Sequence, residues 1–182
     1  MNGILRVTLV FMLVALAPAA LADSFTYSYI GSNGIAATGT LTGDLIAGGG
    51  GALEITSGTI SVSNAPVSGD GSLLLNPNSS SVSTSPLGAF YYDNVLYPGQ
   101  DPLLDIDGLL FAIGSSTGTT EINLWGNGKG NPYSFWEFQD GHYILSDQGS
   151  FADPPVPEPP SLILFGVGLA GAVGLLRRKP MA

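Results

Sequence analysis

The sequence predicts an all-β fold, an antiparallel β-sandwich or jelly roll, flanked by an N-terminal signal peptide and a single C-terminal transmembrane helix. Three observations support this prediction. Apolar residues concentrate at the two ends of the 182-residue chain, the middle is rich in Gly, Ser, Thr and Asn, and short alternating segments there are separated by turn residues. Short strands with frequent turns are typical of sandwiches and jelly rolls, and the middle shows no sustained helical periodicity.

The first 22 residues have the pattern of a secretory signal peptide. A positive charge at Arg6 precedes an apolar run from Val7 to Ala17, and Ala20-Leu21-Ala22 supplies small residues for cleavage before Asp23. The apolar run is too short to span a bilayer comfortably. We therefore expect residues 1–22 to be removed and the mature, secreted chain to begin at Asp23.

Residues 23–152 form the predicted acidic β-rich domain. Phe25, Tyr27 and Tyr29 alternate with polar residues, which is the period-two pattern of a strand with one aromatic face. Asp140-Gly141 is typical of a hairpin turn near the end of the domain. Residues 76–86 are rich in Ser, Asn and Pro, and this composition predicts a long loop.

The C-terminal end divides into a linker, an apolar segment and a basic tail. The linker, residues 153–161, contains five prolines, which prevent a helix and favour an extended spacer. Leu162–Leu176 carries no charge and predicts a transmembrane helix, which at about 1.5 Å per residue only just crosses a core of about 30 Å. Residues 177–182 begin with Arg177, Arg178 and Lys179, a cluster that favours the cytoplasmic side and places the domain outside.

This C-terminal region resembles a known sorting signal. Pro157-Glu158-Pro159, the glycine-containing apolar segment and the basic cluster Arg177-Arg178-Lys179 follow one another. The arrangement resembles the PEP-CTERM signal of Gram-negative bacteria, a tail also known under an ice-binding protein C-terminal label. The resemblance implies an exosortase substrate, with recognition at Pro157, Glu158 and Pro159, removal of the tail, and delivery to the cell surface or to an extracellular, biofilm-associated matrix.

The charge distribution excludes nucleic acid as a partner. All 14 acidic residues lie between Asp23 and Glu158, and Lys129 is the one basic residue in that stretch. Such a domain repels phosphate backbones. The expected partners are the export machinery, exosortase and the membrane through Leu162–Leu176, and the family resemblance adds exopolysaccharide as a further candidate.

Asp101, Asp105 and Asp107 are weak candidates for a calcium site. Clustered oxygen ligands beside a glycine can bind calcium, and Gly108 follows these aspartates. The spacing departs from the EF-hand loop because Leu103 occupies a ligand position. Solvated turn acids explain the same pattern, so no metal or other cofactor is predicted. The chain has no cysteine, which excludes a cysteine-ligated metal site.

The sequence gives little support to catalysis, and we predict no catalytic residue. His142 is the only histidine, and no G-x-S-x-G turn accompanies it. Glu121, Glu137 and Asp140 are carboxylates that a small glycosidase would need, on the condition that two of them share a cleft.

A group of aromatic residues late in the domain allows two interpretations, core packing or stacking on sugars: Trp125, Tyr133, Phe135, Trp136 and Tyr143. On strands half of such residues point inward, so core packing is favoured. An aromatic row open to solvent would instead indicate a carbohydrate-binding module. The leading hypothesis is a non-enzymatic protein, first anchored in the inner membrane with its domain outside and then placed at the surface or in the matrix. A carbohydrate-binding module and a small glycosidase are the alternatives.

Overall fold

The computed structural model describes residues 23–115 and 118–152, which belong to one compact unit and contain β-strands and turns without any helix. A helix long and apolar enough to cross a membrane is accordingly not found among them. The predicted signal peptide, linker, transmembrane segment and basic tail lie outside the described residues. The strands are β1 (Asp23–Gly31), β2 (Ala36–Leu45), β3 (Leu53–Ser63), β4 (Gly69–Leu73), β5 (Ser83–Thr84), β6 (Tyr91–Tyr92), β7 (Val95–Leu96), β8 (Leu109–Ser115), β9 (Gly118–Gly126), β10 (Tyr133–Gln139) and β11 (His142–Ala152).

Within this part of the chain, eight strands close into one antiparallel, barrel-like sheet. Neighbouring strands follow the order β2-β1-β11-β10-β9-β8-β4-β3, and β3 pairs with β2 to complete the ring. β7 pairs with β3, and β5 and β6 form a separate two-stranded sheet. The all-β prediction is confirmed. The finer prediction of a sandwich or jelly roll is not shown, because the main sheet closes on itself into a barrel-like ring.

The β2–β3 pairing closes the sheet at a glycine-rich corner. The register of the two strands shifts between Thr42 and Gly43, and such irregularities increase local bending and twist. A β-carbon on Gly39 would collide with the carbonyl oxygen of Thr59, so glycine permits the close approach of β2 to β3. Strand alternation alone does not reveal this corner, which explains why the sequence suggested two sheets.

Tyr27 fastens the closure from inside the ring. It lies opposite Gly39 in the β1–β2 pair, and its hydroxyl donates a 3.0 Å hydrogen bond to the carbonyl oxygen of Thr59 on β3. Its ring packs against Phe111 of β8 and Phe151 of β11, at centroid distances of 6.0 and 5.4 Å. One side chain therefore links four strands of the ring.

The inside of the closed sheet is the larger hydrophobic core. Phe25, Tyr27 and Tyr29 are all buried there, as the alternation in β1 predicts. Burial of apolar surface stabilises the fold by about 25 cal/mol per Å². Other strands contribute further fully buried side chains, among them Leu41, Ile60, Leu104, Leu109, Phe111, Ile122, Leu124 and Phe135.

A second hydrophobic cluster lies on the outer face of the sheet. We define the strap as residues 76–93, which pack Phe90 and Tyr92 against Leu110 of β8 and Phe138 of β10. The side-chain amide of Asn76 donates to the carbonyl oxygens of both Ser81 and Asp93, and so ties together the two ends of the strap. The predicted loop at 76–86 is therefore part of an ordered covering that includes β5 and β6.

We expect Gly39→Ala to lower the free energy of unfolding by about 1–3 kcal/mol, because the added methyl group overpacks the β2–β3 corner. Gly114→Ala is the matched control: it also replaces a strand glycine, but a β-carbon there meets no atom within 4 Å. The control should change stability by less than about 0.5 kcal/mol. Urea denaturation followed by tryptophan fluorescence measures both variants, and equal midpoints would contradict the role given to this corner.

Candidate functional site

A groove of about 310 Å³ opens on the outer face of the sheet. The strap forms one wall, the turn before β8 contributes a second, and the outward-facing side chains of β9, β10 and β11 form the floor. None of the lining residues is charged; they are Ala89, Phe90, Tyr91, Ile106, Asn123, Trp125, Trp136 and Tyr143.

Aromatic rings run along the groove in a continuous row. Because side chains alternate along strands, Trp125 of β9 and Trp136 of β10 point to the outer face, and their ring centroids lie 5.6 Å apart. Tyr143 of β11 continues the row, 5.2 Å from Trp136. Tyr143 is 53% exposed, and Tyr91 on the opposite wall is 67% exposed. Trp125 and Trp136 are half-buried, so the row is open to solvent chiefly at Tyr143.

The aromatic candidates from the sequence divide between the two faces of the sheet. Tyr133 and Phe135 are buried inside the ring, as the core interpretation predicts. Trp125, Trp136 and Tyr143 line the groove instead. No local pattern indicates that the strap supplies a wall, because its contacts join residues more than 30 positions apart.

Three hydrogen bonds hold the strap wall in place. The side-chain amide of Asn123 donates to the carbonyl oxygen of Tyr91 at 2.9 Å, and the Tyr143 hydroxyl donates to that of Ala89 at 2.8 Å. Glu121 accepts from the backbone NH of Leu87 at 2.8 Å. The groove is consequently formed before any ligand binds.

Two oxygen atoms buried in this region lack a hydrogen-bond partner among the described residues. They are Oδ1 of Asn123, which lines the groove, and Oε2 of Glu121. A buried polar atom without a partner costs about 1–3 kcal/mol. In both side chains the other polar atom holds the strap, so each unpaired oxygen accompanies a structural hydrogen bond.

A polar pocket adjoins the aromatic groove at Trp136, which lines both. This pocket also measures about 310 Å³, and its other lining residues are Ser32, Asn33, Ser146, Asp147 and Gln148. Asp147 accepts hydrogen bonds from the side chains of Ser32 and Asn33, at 2.9 and 3.0 Å, which fix the β1–β2 turn against β11. Hydroxyl, amide and carboxylate groups thus stand beside the aromatic row.

Three carboxylates converge at the turn before β8, which forms the second wall of the groove. Oxygen atoms of Asp93, Asp105 and Asp107 all lie within 4.8 Å of one another. The structure thus brings together two of the three predicted calcium candidates, adds Asp93, and leaves Asp101 outside the group. The sequence analysis did not include Asp93, which lies 12 positions before Asp105 and next to Asn94, a residue with a left-handed φ of 57°.

The electrostatics of this acidic group reflect its burial. Burial, followed by the nearby charge of Asp105, raises the pKa of Asp93 to about 7. The same two causes raise the pKa of Asp107. Asp105 accepts hydrogen bonds from the backbone NH groups of Asp107 and Gly108, which hold it in the turn. The group has the oxygen ligands that calcium prefers. Asp105 also stabilises the turn through its two hydrogen bonds.

The carboxylates considered for glycosidase chemistry do not share a cleft. Glu121 lies opposite Phe138 in the β9–β10 pair and faces outward under the strap, whereas Glu137 lies opposite Ile122 and faces the core. Asp140 occupies the exposed β10–β11 turn, and His142 is exposed at the start of β11. The pairing of Glu121 with Glu137 is therefore excluded by the alternation of the strands.

The C-terminal segment matches a known family. The family described as the PEP-CTERM protein-sorting motif matches residues 155–179. This chain carries a PEP-CTERM sorting signal. No curated protein and no solved structure matches it.

The PEP-CTERM motif marks an exported protein that is sorted by exosortase, anchored in a membrane and then processed. The match includes Pro157, Glu158 and Pro159, together with the basic cluster. These residues, like the predicted cleavage site at Ala20 and Ala22, lie outside the described part of the chain. Their individual roles and the segment boundaries remain predictions.

We expect the domain of this PEP-CTERM protein to lose stability as the pH rises from about 4.5 to about 7. Burial raises the pKa of Glu137 from 4.5 to about 7, although the backbone NH of Val67 acts in the opposite direction. The unfolded chain therefore releases this proton at lower pH than the folded domain, and the stabilisation present at acid pH is lost on the way to neutral pH.

Glu137→Gln should remove much of this loss, which amounts to roughly 3 kcal/mol at ~1.36 kcal/mol per pKa unit. Asp44→Asn, at an exposed position of β2, is the control and should leave the pH profile unchanged. Thermal unfolding of the three proteins between pH 5 and pH 8 measures the effect. An identical pH dependence for Glu137→Gln and the unaltered protein would refute it.

Proposed function

We propose that this PEP-CTERM protein is a non-catalytic component of the cell surface or of an extracellular, biofilm-type matrix, delivered there by exosortase. The position of the sorting motif carries the proposal. The motif occupies residues 155–179, and the last strand of the closed sheet, β11, ends at Ala152. Removal of the tail would take no strand from the sheet, so the domain would be released in its folded form.

The placement of three acidic groups supports a non-catalytic role. Glu121 holds the strap, and Glu137 faces the core, so neither is available to the other for acid–base chemistry. Asp147 is bound by Ser32 and Asn33 at the β1–β2 turn. These side chains have structural contacts that account for their positions.

A carbohydrate-binding module is the second candidate function. The partly exposed row formed by Trp125, Trp136 and Tyr143 favours it, because aromatic rings provide large, rigid and amphipathic contact surfaces. This function is compatible with the first, since a protein delivered to a matrix of polysaccharide would be retained there by such contacts.

Glu158→Ala should block processing of the tail, because it removes the only charged residue of the Pro157-Glu158-Pro159 motif. Intact mass spectrometry of the protein from cells with and without exosortase measures the outcome. We expect the unaltered protein to begin at Asp23 and to lack Leu162–Leu176, and the variant to retain that segment. Pro154→Ala, one residue before the matched motif, is the control and should be processed normally. A mature product that keeps the segment in exosortase-positive cells would show a permanent anchor.

The purified exported protein should be retained on insoluble neutral polysaccharides such as cellulose, starch or mannan. Co-sedimentation measures the bound fraction, and serum albumin controls for nonspecific retention. We expect retention to fall at least several-fold for Trp125→Ala and Trp136→Ala combined, provided that circular dichroism shows both forms folded. Retention no greater than that of albumin on every polysaccharide would dismiss the carbohydrate-binding function.

A further inference from the structure

We infer that the aromatic groove and the polar pocket, joined at Trp136, form one continuous binding site for a neutral polysaccharide chain. The inference rests on the second function proposed above and assigns it a location and a class of ligand. Three features of the described residues carry it: the pairing of aromatic and polar surfaces, the charge of the lining, and the preformed wall.

The chemistry of the two pockets matches the two kinds of surface on a sugar. A pyranose ring has apolar C–H faces and a rim of hydroxyl groups. The row at Trp125, Trp136 and Tyr143 offers flat apolar surfaces, and Ser146 and Gln148 beside it offer hydroxyl and amide groups. Since Trp136 lines both pockets, several consecutive rings of one chain would contact both surfaces.

The charges of the lining favour a neutral chain. No lining residue of the aromatic groove is charged, and Asp147 contributes a negative charge to the polar pocket. The protein as a whole has a formal net charge of −9. An anionic polymer would be repelled, whereas the hydroxyl groups of a neutral one can donate hydrogen bonds to hydroxyl and amide oxygens of the pocket.

Asn123 fixes the wall of the groove. Its side chain is 3% exposed, and the amide nitrogen donates to the carbonyl oxygen of Tyr91. Because the same side chain fixes the strap wall, the site is preorganised, which reduces the entropy cost of binding.

Tryptophan fluorescence tests the site directly, because the chain has two tryptophans and both line the groove. The probes are maltohexaose, cellohexaose and mannohexaose, with polygalacturonate as the anionic counterpart. We expect at least one neutral hexasaccharide to change the emission saturably, and polygalacturonate to leave it unchanged. A saturable response to polygalacturonate alone would overturn the assignment of a neutral ligand.

Two exposed positions test the two halves of the site without disturbing the core. Tyr91→Ala removes a ring from the aromatic groove, and Gln148→Ala removes an amide from the polar pocket; each should raise the dissociation constant about three- to tenfold. Leu45→Ala is the control, because Leu45 is 71% exposed on β2 and lines neither pocket. Its dissociation constant should match that of the unaltered protein.

The outcomes separate this inference from the function on which it rests. If the protein sediments with polysaccharide while its emission stays constant and both variants bind normally, the carbohydrate-binding function stands and the location is wrong. If no polysaccharide or hexasaccharide binds, both fail. Sedimentation velocity addresses a second copy as the occupant: a dimer that Tyr91→Ala converts to a monomer would replace the polysaccharide with a self-association interface.

Discussion

The contact between β2 and β3 is the constraint on which the rest of this structure depends. At Gly39 the absence of a side chain lets β2 approach the carbonyl oxygen of Thr59, and Tyr27 donates a hydrogen bond to that same oxygen. The pairing turns what would be an open sheet into a ring with a defined inside and outside. The closure therefore determines which side chains fill the core and which line the groove on the outer face.

The ring gives adjacent residues opposite roles. Along β9 and β10, one face of each strand fills the interior and the other supports the strap, so Ile122 and Glu137 point inward while Glu121 and Phe138 point outward. The inward glutamate has a pKa raised by burial, and the outward one fixes a backbone NH of the strap. Strand alternation thus assigns one carboxylate to the core and another to the wall of the groove.

The strap converts the outer face of the sheet into a site. Trp125, Trp136 and Tyr143 form the floor of a groove, and the strap supplies a wall that is tied to β9 and β11. The two proposed functions act at different places. The tail governs delivery, and the groove would govern what the delivered domain holds.

The sequence by itself determined the all-β class, the inward alternation of Phe25, Tyr27 and Tyr29, and the PEP-CTERM signal, because strand period and motif are local properties of the chain. The closure of the ring, the faces taken by Trp136 and Phe135, and the convergence of Asp93 on Asp105 were decided by the tertiary structure. Each of these features depends on contacts between separate segments of the chain, and no local sequence pattern indicates those contacts. The face of a strand that becomes the core is fixed only when its neighbours are known.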